Sequence, residues 1–126
     1  MSLNEDYTQS TVLRIGTDIV SVSEFESSLL TGGEAMLKRL FHPSEIAGSS
    51  HETLASIFAA KEAAFKALGL PVGDWHVLEV MFDAPNNPSI SLSTDYESAH
   101  VQSIDLSIGF ANGNILATVV ASVCEI

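Results

Sequence analysis

Phe58-Ala59-Ala60-Lys61-Glu62-Ala63-Ala64-Phe65-Lys66-Ala67-Leu68 has the period of a helix, but charges stand where its apolar face should be. At about 100° per residue, Leu54, Ile57, Phe58, Phe65 and Leu68 gather into one stripe. Lys61 falls in the middle of that stripe. Glu62 lies at its edge, and Lys66 follows one turn later on the same side. The opposite face, Ser56, Ala60, Ala63 and Ala67, is small rather than solvated, so neighbours are expected against both sides. A buried charge without a partner is costly enough that it pairs, binds a metal or neutralises. A Glu/Lys pair four residues apart is also common helix decoration, worth a few tenths of a kcal/mol.

Upstream, the β-branched run Val12 to Val22 reads as a strand. Its alternation puts Ile15, Thr17 and Ile19 on one face and Gly16, Asp18 and Val20 on the other. Asp18 is thus a carboxylate inside an apolar strand. Ser21 or Ser23 caps a helix from Glu24 to Leu30, which Gly32-Gly33 breaks. Glu34 to Phe41 makes another short helix, and Pro43 starts a further turn. Ser50 or Thr53 caps the long helix, Gly69 ends it, and Pro71 follows. Downstream, Trp75 to Phe82 and Ser89 to Ser93 read as strands around a turn at Pro85-Asn86-Asn87-Pro88. Thr94 to His100 reads as a short helix. Ser103 to Phe110 and Asn114 to Val123 form a hairpin through Asn112-Gly113. The expectation is an α+β fold, one domain over residues 12–126 behind a flexible segment 1–11, with the long helix packed on a mainly antiparallel sheet.

Composition narrows the function. The hydrophobic fraction of 46% argues against disorder. No apolar run approaches the ~20 residues that span a bilayer. The polar, acidic start lacks the features of a secretory signal, and a single cysteine, Cys124, permits no intramolecular disulfide. A cytoplasmic location is the expectation. Sixteen acidic residues face five basic ones, Arg14, Lys38, Arg39, Lys61 and Lys66, for a net charge of −11. Nucleic acid and acidic membrane surfaces are disfavoured partners, because both are held by basic patches.

Asp18 and Glu62, two buried acids from different elements, suit a hard divalent cation. Magnesium favours carboxylate and water oxygens and completes its shell with substrate phosphates. Lysines one turn apart add point charges for those phosphates. The alternative reading is structural: Asp18 caps a turn and Glu62 pairs with Lys66.

Three blocks resemble a known family: Ile15-Gly16-Thr17-Asp18-Ile19-Val20, Arg39-Leu40-Phe41-His42-Pro43-Ser44-Glu45-Ile46-Ala47, and Phe58 to Leu68. Together with Trp75, Leu78-Glu79-Val80 and the closing hairpin, they are similar to the holo-acyl-carrier-protein synthase family of phosphopantetheinyl transferases. The likeness implies transfer of 4′-phosphopantetheine from coenzyme A to a serine of an acyl carrier protein, in fatty-acid biosynthesis. It implies magnesium on Asp18 and Glu62, Glu62 assisting deprotonation of the serine, and Lys66 and Lys61 on phosphate. It places Ser107 in the family's Ser-His pair near the coenzyme, and implies a homotrimer with shared sites. The chain departs from the pattern at Ile108, where the family carries histidine, and at Ile57, where it carries arginine. It departs again in an acidic first helix (Glu24, Glu26, Glu34), where the family docks its acidic carrier on basic residues. A family member that lost catalysis and serves as a binding partner is the competing expectation.

Overall fold

The computed structural model describes residues 10–71, 73–84, 87–93 and 100–125. Strand β1 (Ser10–Ser21) leads into α1 (Val22–Leu40), the short α2 (Pro43–Ile46) and the long α3 (His51–Leu68). A 3-10 turn (Trp75–Val77) then opens β2 (Leu78–Ala84), followed by β3 (Asn87–Leu92), β4 (Val101–Ala111) and β5 (Asn114–Glu125). All pairings are antiparallel: β1, β5 and β4 form a three-stranded sheet in that order, and β2 pairs with β3. The α+β expectation holds.

Boundaries move in instructive ways. Ser10 and Thr11, expected in the flexible segment, are in β1 and pair with Glu125 and Cys124; residues 1–9 lie outside the described residues. The two expected helices before Phe41 run on as α1, interrupted at Gly33, whose φ of 61° is non-helical. Trp75 to Val77 is a 3-10 turn rather than the start of a strand. Asn87 and Pro88, expected in a turn, belong to β3. Pro88 stands there without cost to the pairing, because this two-stranded sheet leaves β3 an edge. The turn residues Pro85 and Asn86, and the helix expected from Thr94, lie outside the described residues, apart from His100 in a turn.

Helix α3 organises the molecule because it is packed on both sides. Its alanine side (Ala60, Ala63 and Ala67) is buried and meets the sheet. Gly16 of β1 lies so close that a Cβ there would overlap the Ala63 carbonyl oxygen and sit 2.6 Å from the Ala67 nitrogen. Only small residues permit that approach. The other side carries Phe65 and Phe58 into an aromatic cluster. Phe58 stacks on Trp75 at 5.3 Å and tilts against Phe25 at 5.3 Å, while Phe65 meets Trp75 edge-on at 5.2 Å.

Beside that cluster lies the charge of Lys61, with its Nζ 5.6 Å from the centre of the Phe41 ring. Lys61 is 0% exposed, and its Nζ donates to a Glu45 carboxylate oxygen at 2.7 Å, to the Leu40 carbonyl at 2.9 Å and to the Trp75 carbonyl at 3.2 Å. All three ammonium protons are thereby engaged. Glu45 also accepts from the backbone N–H groups of His42 (2.8 Å) and Val80 (2.8 Å). One ion pair thus ties the end of α1, α2, α3, the 3-10 turn and β2. Burial pushes the Lys61 pKa down, and the Glu45 hydrogen bond and charge oppose that shift.

Removing one partner of such a pair strands the other in the core. Lys61→Met is expected to lower stability by about 3–5 kcal/mol, read from denaturant midpoints. Adding Glu45→Gln should recover part of the loss, since the amide oxygen still accepts a backbone N–H. An unchanged midpoint in the single variant would remove the pair from its place at the centre of the fold.

Candidate active site

The alternation read from β1 is correct: Gly16, Asp18 and Val20 turn toward α3, while Leu13, Ile15, Thr17 and Ile19 turn outward. Asp18 thereby reaches the edge of α3 where Glu62 and Lys66 emerge. Lys66 Nζ donates to Asp18 Oδ1 and to the Thr17 carbonyl, each at 2.9 Å. The structural alternative, a turn cap at Asp18 and a Glu62–Lys66 pair, is not what the structure shows: Asp18 lies within β1. Lys66 is ion-paired, but with Asp18 across 48 residues of chain rather than with Glu62 on its own helix. Neither acid is fully buried; both are partly exposed, because they flank a cavity rather than enter the core.

Glu62 is the electrostatically loaded group. Loss of solvation pushes its pKa above the ordinary value of 4.5, the neighbouring Asp18 carboxylate adds to the rise, and Lys66 opposes it. Asp18 and Glu62 line a cavity of about 340 Å³ whose other wall is the capping Ser21 with Glu24, Phe25, Ser28 and Met36 of α1. Beyond the Asp18–Lys66 pair lies a second cavity of about 450 Å³, lined by Arg14, Lys66, Gly69, Leu70, Leu92 and Val123 among others. The two cavities have opposite character: carboxylates line the first, and the second contains two of the five basic side chains.

Two expected assignments need correction. Lys61 cannot meet a substrate phosphate, because it is sealed in the core with every donor used. Its place in the apolar stripe points it inward, away from Glu62 and Lys66. Ser107 is not brought to the acids within one chain. It lies exposed on β4 opposite Thr118, on the outward face of the sheet, while its neighbour Ile108 packs against the core. Ile57 is buried as well, so neither isoleucine offers an anion contact. Trp75 is a core anchor.

Two further residues matter here. Glu45, three residues after His42, stands where a helix-start carboxylate reaches back to the backbone, a signal present in the sequence. Glu24 has no such signal, and only the tertiary arrangement places it on the wall facing Asp18 and Glu62.

The profile of the 4′-phosphopantetheinyl transferase superfamily matches residues 14–124. The chain belongs to that superfamily and is an enzyme of the phosphopantetheinyl transferase class. Among its relatives, the holo-[acyl-carrier-protein] synthase of Frankia alni is 39% identical over 116 residues, covering 87% of this chain and 97% of the relative. The crystal structure of Helicobacter pylori holo-[acyl-carrier-protein] synthase in complex with coenzyme A superposes with a TM-score of 0.77 at 32% identity. That match covers 85% of this chain and 98% of the other. The Neisseria meningitidis holo-[acyl-carrier-protein] synthase superposes with a TM-score of 0.76 at 30% identity, over 86% of this chain and 96% of the other.

Because the folded state disfavours ionised Glu62, its raised pKa contributes stability at low pH that is lost as pH rises through the folded value. Glu62→Gln is therefore expected to melt higher than the native chain at neutral pH, with the gain vanishing as pH falls below about 4.5. Thermal unfolding followed across that range by circular dichroism checks the sign; a variant that melts lower at pH 7 would contradict it.

Proposed function

We propose that this chain transfers 4′-phosphopantetheine from coenzyme A to a serine hydroxyl of an acyl carrier protein, with magnesium held by Asp18 and Glu62. The observation that carries the reading is the convergence of Asp18, Glu62 and Lys66 at the boundary of β1 and α3, in a chain of this family. The non-catalytic alternative has no observation in its favour.

The donor set fits magnesium. Two carboxylates face one cavity, and the Asp18 charge adds to the cost of ionising Glu62, which a cation relieves. Among the described residues no group of three His, Cys, Asp or Glu is placed to hold a metal. That suits an ion that keeps waters and takes substrate phosphate oxygens, and not one that needs an all-protein cage. When bound, the ion supplies neutralisation of the diphosphate charge.

The chain's own groups do the rest. Glu62, at the edge of the cavity, is the group placed to take the proton of the carrier serine, directly or through water. The serine oxygen forms a bond to the phosphorus that bears the pantetheine arm. The bond from that phosphorus to the bridging oxygen breaks, and adenosine 3′,5′-bisphosphate leaves with the electron pair. Lys66 is 54% exposed and has one ammonium donor beyond those given to Thr17 and Asp18. That donor is available to the charge on the diphosphate.

A homotrimer belongs to the same reading. The outward face of the three-stranded sheet exposes Leu13 (66%), Ile15 (65%), Ile19 (68%) and Leu116 (47%). An uncovered apolar face of this kind marks an interaction surface, and other copies of the chain are its proposed occupants. Ser107 lies on that face, so its proposed part in coenzyme binding would be played across the contact between copies. A cytoplasmic location goes with coenzyme A as donor, and no helix among the described residues is long and apolar enough to cross a membrane.

Titration calorimetry of coenzyme A should show binding that requires magnesium and that weakens at least tenfold in Glu62→Ala. Transfer to an apo-carrier should fall by about 10² to 10³ in the same variant. Binding indifferent to magnesium, or undiminished transfer, would end the proposal. For assembly, sedimentation equilibrium is expected to return three chain masses, and Ile15→Glu to return one; a native monomer would refute the trimer.

A further inference from the structure

We infer that Lys66 is an internal counter-ion that competes with magnesium for Asp18, and that this competition makes metal and coenzyme bind cooperatively. The inference rests on the metal and coenzyme reading above and adds the coupling between the two ligands of that same site.

Asp18 is claimed twice. Its Oδ1 accepts from Lys66 Nζ at 2.9 Å, and the metal reading gives the same carboxylate to a divalent cation. Two cations on one carboxylate repel each other, so each weakens the hold of the other. The strand fixes Asp18, whose side chain is 17% exposed. Lys66 is the partner able to move. Its side chain is 54% exposed, stands in the last turn of α3 and borders the cavity of about 450 Å³. Its ammonium can therefore leave Asp18 and remain solvated, whereas Lys61 is sealed in the core. The second bond from Nζ, to the Thr17 carbonyl at 2.9 Å, keeps a released ammonium beside the site. Lys66 also opposes the rise in the Glu62 pKa, so its charge is felt by both carboxylates.

The charges around the site explain why neither ligand binds well alone. Asp18, Glu24 and Glu62 line one cavity, and among the described residues no Lys, Arg or His lines it. A diphosphate brought there alone meets these carboxylates while Lys66 is engaged with one of them. A divalent cation alone must displace an ammonium already on Asp18. When both arrive, the diphosphate takes the released ammonium as well as the charge of the metal. Each ligand removes the obstacle to the other, and such coupling is reciprocal by thermodynamic necessity. A lysine suits the exchange, being a compact charge on a flexible stem with three rotatable donors.

Manganese(II) serves as the probe, because it takes the same oxygen ligands and its free ion is counted by electron paramagnetic resonance. It is titrated into the native chain, Lys66→Gln and Lys66→Arg, with and without coenzyme A, at about pH 8, well above ordinary carboxylate values. The native chain is expected to bind manganese on the order of tenfold tighter with coenzyme A than without it. Lys66→Gln should bind manganese alone on the order of tenfold tighter than the native chain does, and its gain from coenzyme A should be several-fold smaller. Lys66→Arg keeps the charge and should bind manganese alone as the native chain does. Equal binding of manganese alone by the native chain and Lys66→Gln, undiminished coupling in Lys66→Gln, or tighter binding by Lys66→Arg would overturn the inference. Each of these leaves the transferase reading intact. No manganese binding by any of the three, with or without the coenzyme, would sink both, so the two failures are distinguishable.

Discussion

The pairing of Lys61 with Glu45 is the constraint from which the rest of the structure follows. Two charges inside an aromatic core tolerate little displacement, because every lost hydrogen bond there leaves a desolvated group unpaired. The pair therefore sets the rotation of α3 about its own axis. With Lys61 turned toward α1, α2 and the 3-10 turn, the alanine side must face the sheet. Glu62, one residue on, must then emerge at the edge beside β1, with Lys66 a turn behind it. The buried lysine does no chemistry, but it determines where the neighbouring glutamate stands.

The other half of the site is set by the close approach of β1. Gly16 against Ala63 and Ala67 lets the strand lie directly on the helix, and period-two alternation then delivers Asp18, two residues later, to the same groove. The resulting cluster of two carboxylates and one ammonium is not neutral. Glu62 responds with a raised pKa, through loss of solvation first and the Asp18 charge second. Strain of this electrostatic kind is what function adds to an otherwise satisfied interior: among the described residues no buried side-chain nitrogen or oxygen lacks a partner.

The departures from the family pattern have physical consequences that run in one direction. Ile57 and Ile108 are absorbed into the core, so the positions have exchanged anion contacts for packing. The carboxylate of Glu24 gives the α1 wall of the cavity a negative sign. The basic side chains that remain beside the site are Lys66 and Arg14, which line one cavity. These departures leave Asp18, Glu62 and Lys66 together at the boundary of β1 and α3.

Much of this was legible in the residues themselves. The Ala-rich period of Phe58 to Leu68 predicts a helix packed on both faces, the alternation of Ile15 to Val20 predicts which side Asp18 takes, and Asn112-Gly113 predicts the closing hairpin; all three are local patterns that propensity and periodicity encode. The tertiary structure alone decided the pairings. Lys66 chose Asp18 over the nearer Glu62, Lys61 chose the core over the substrate, Ser107 was turned to the outer face, and Glu24 joined the site from another element. What decided each case was desolvation and distance in three dimensions, which no spacing in one dimension records.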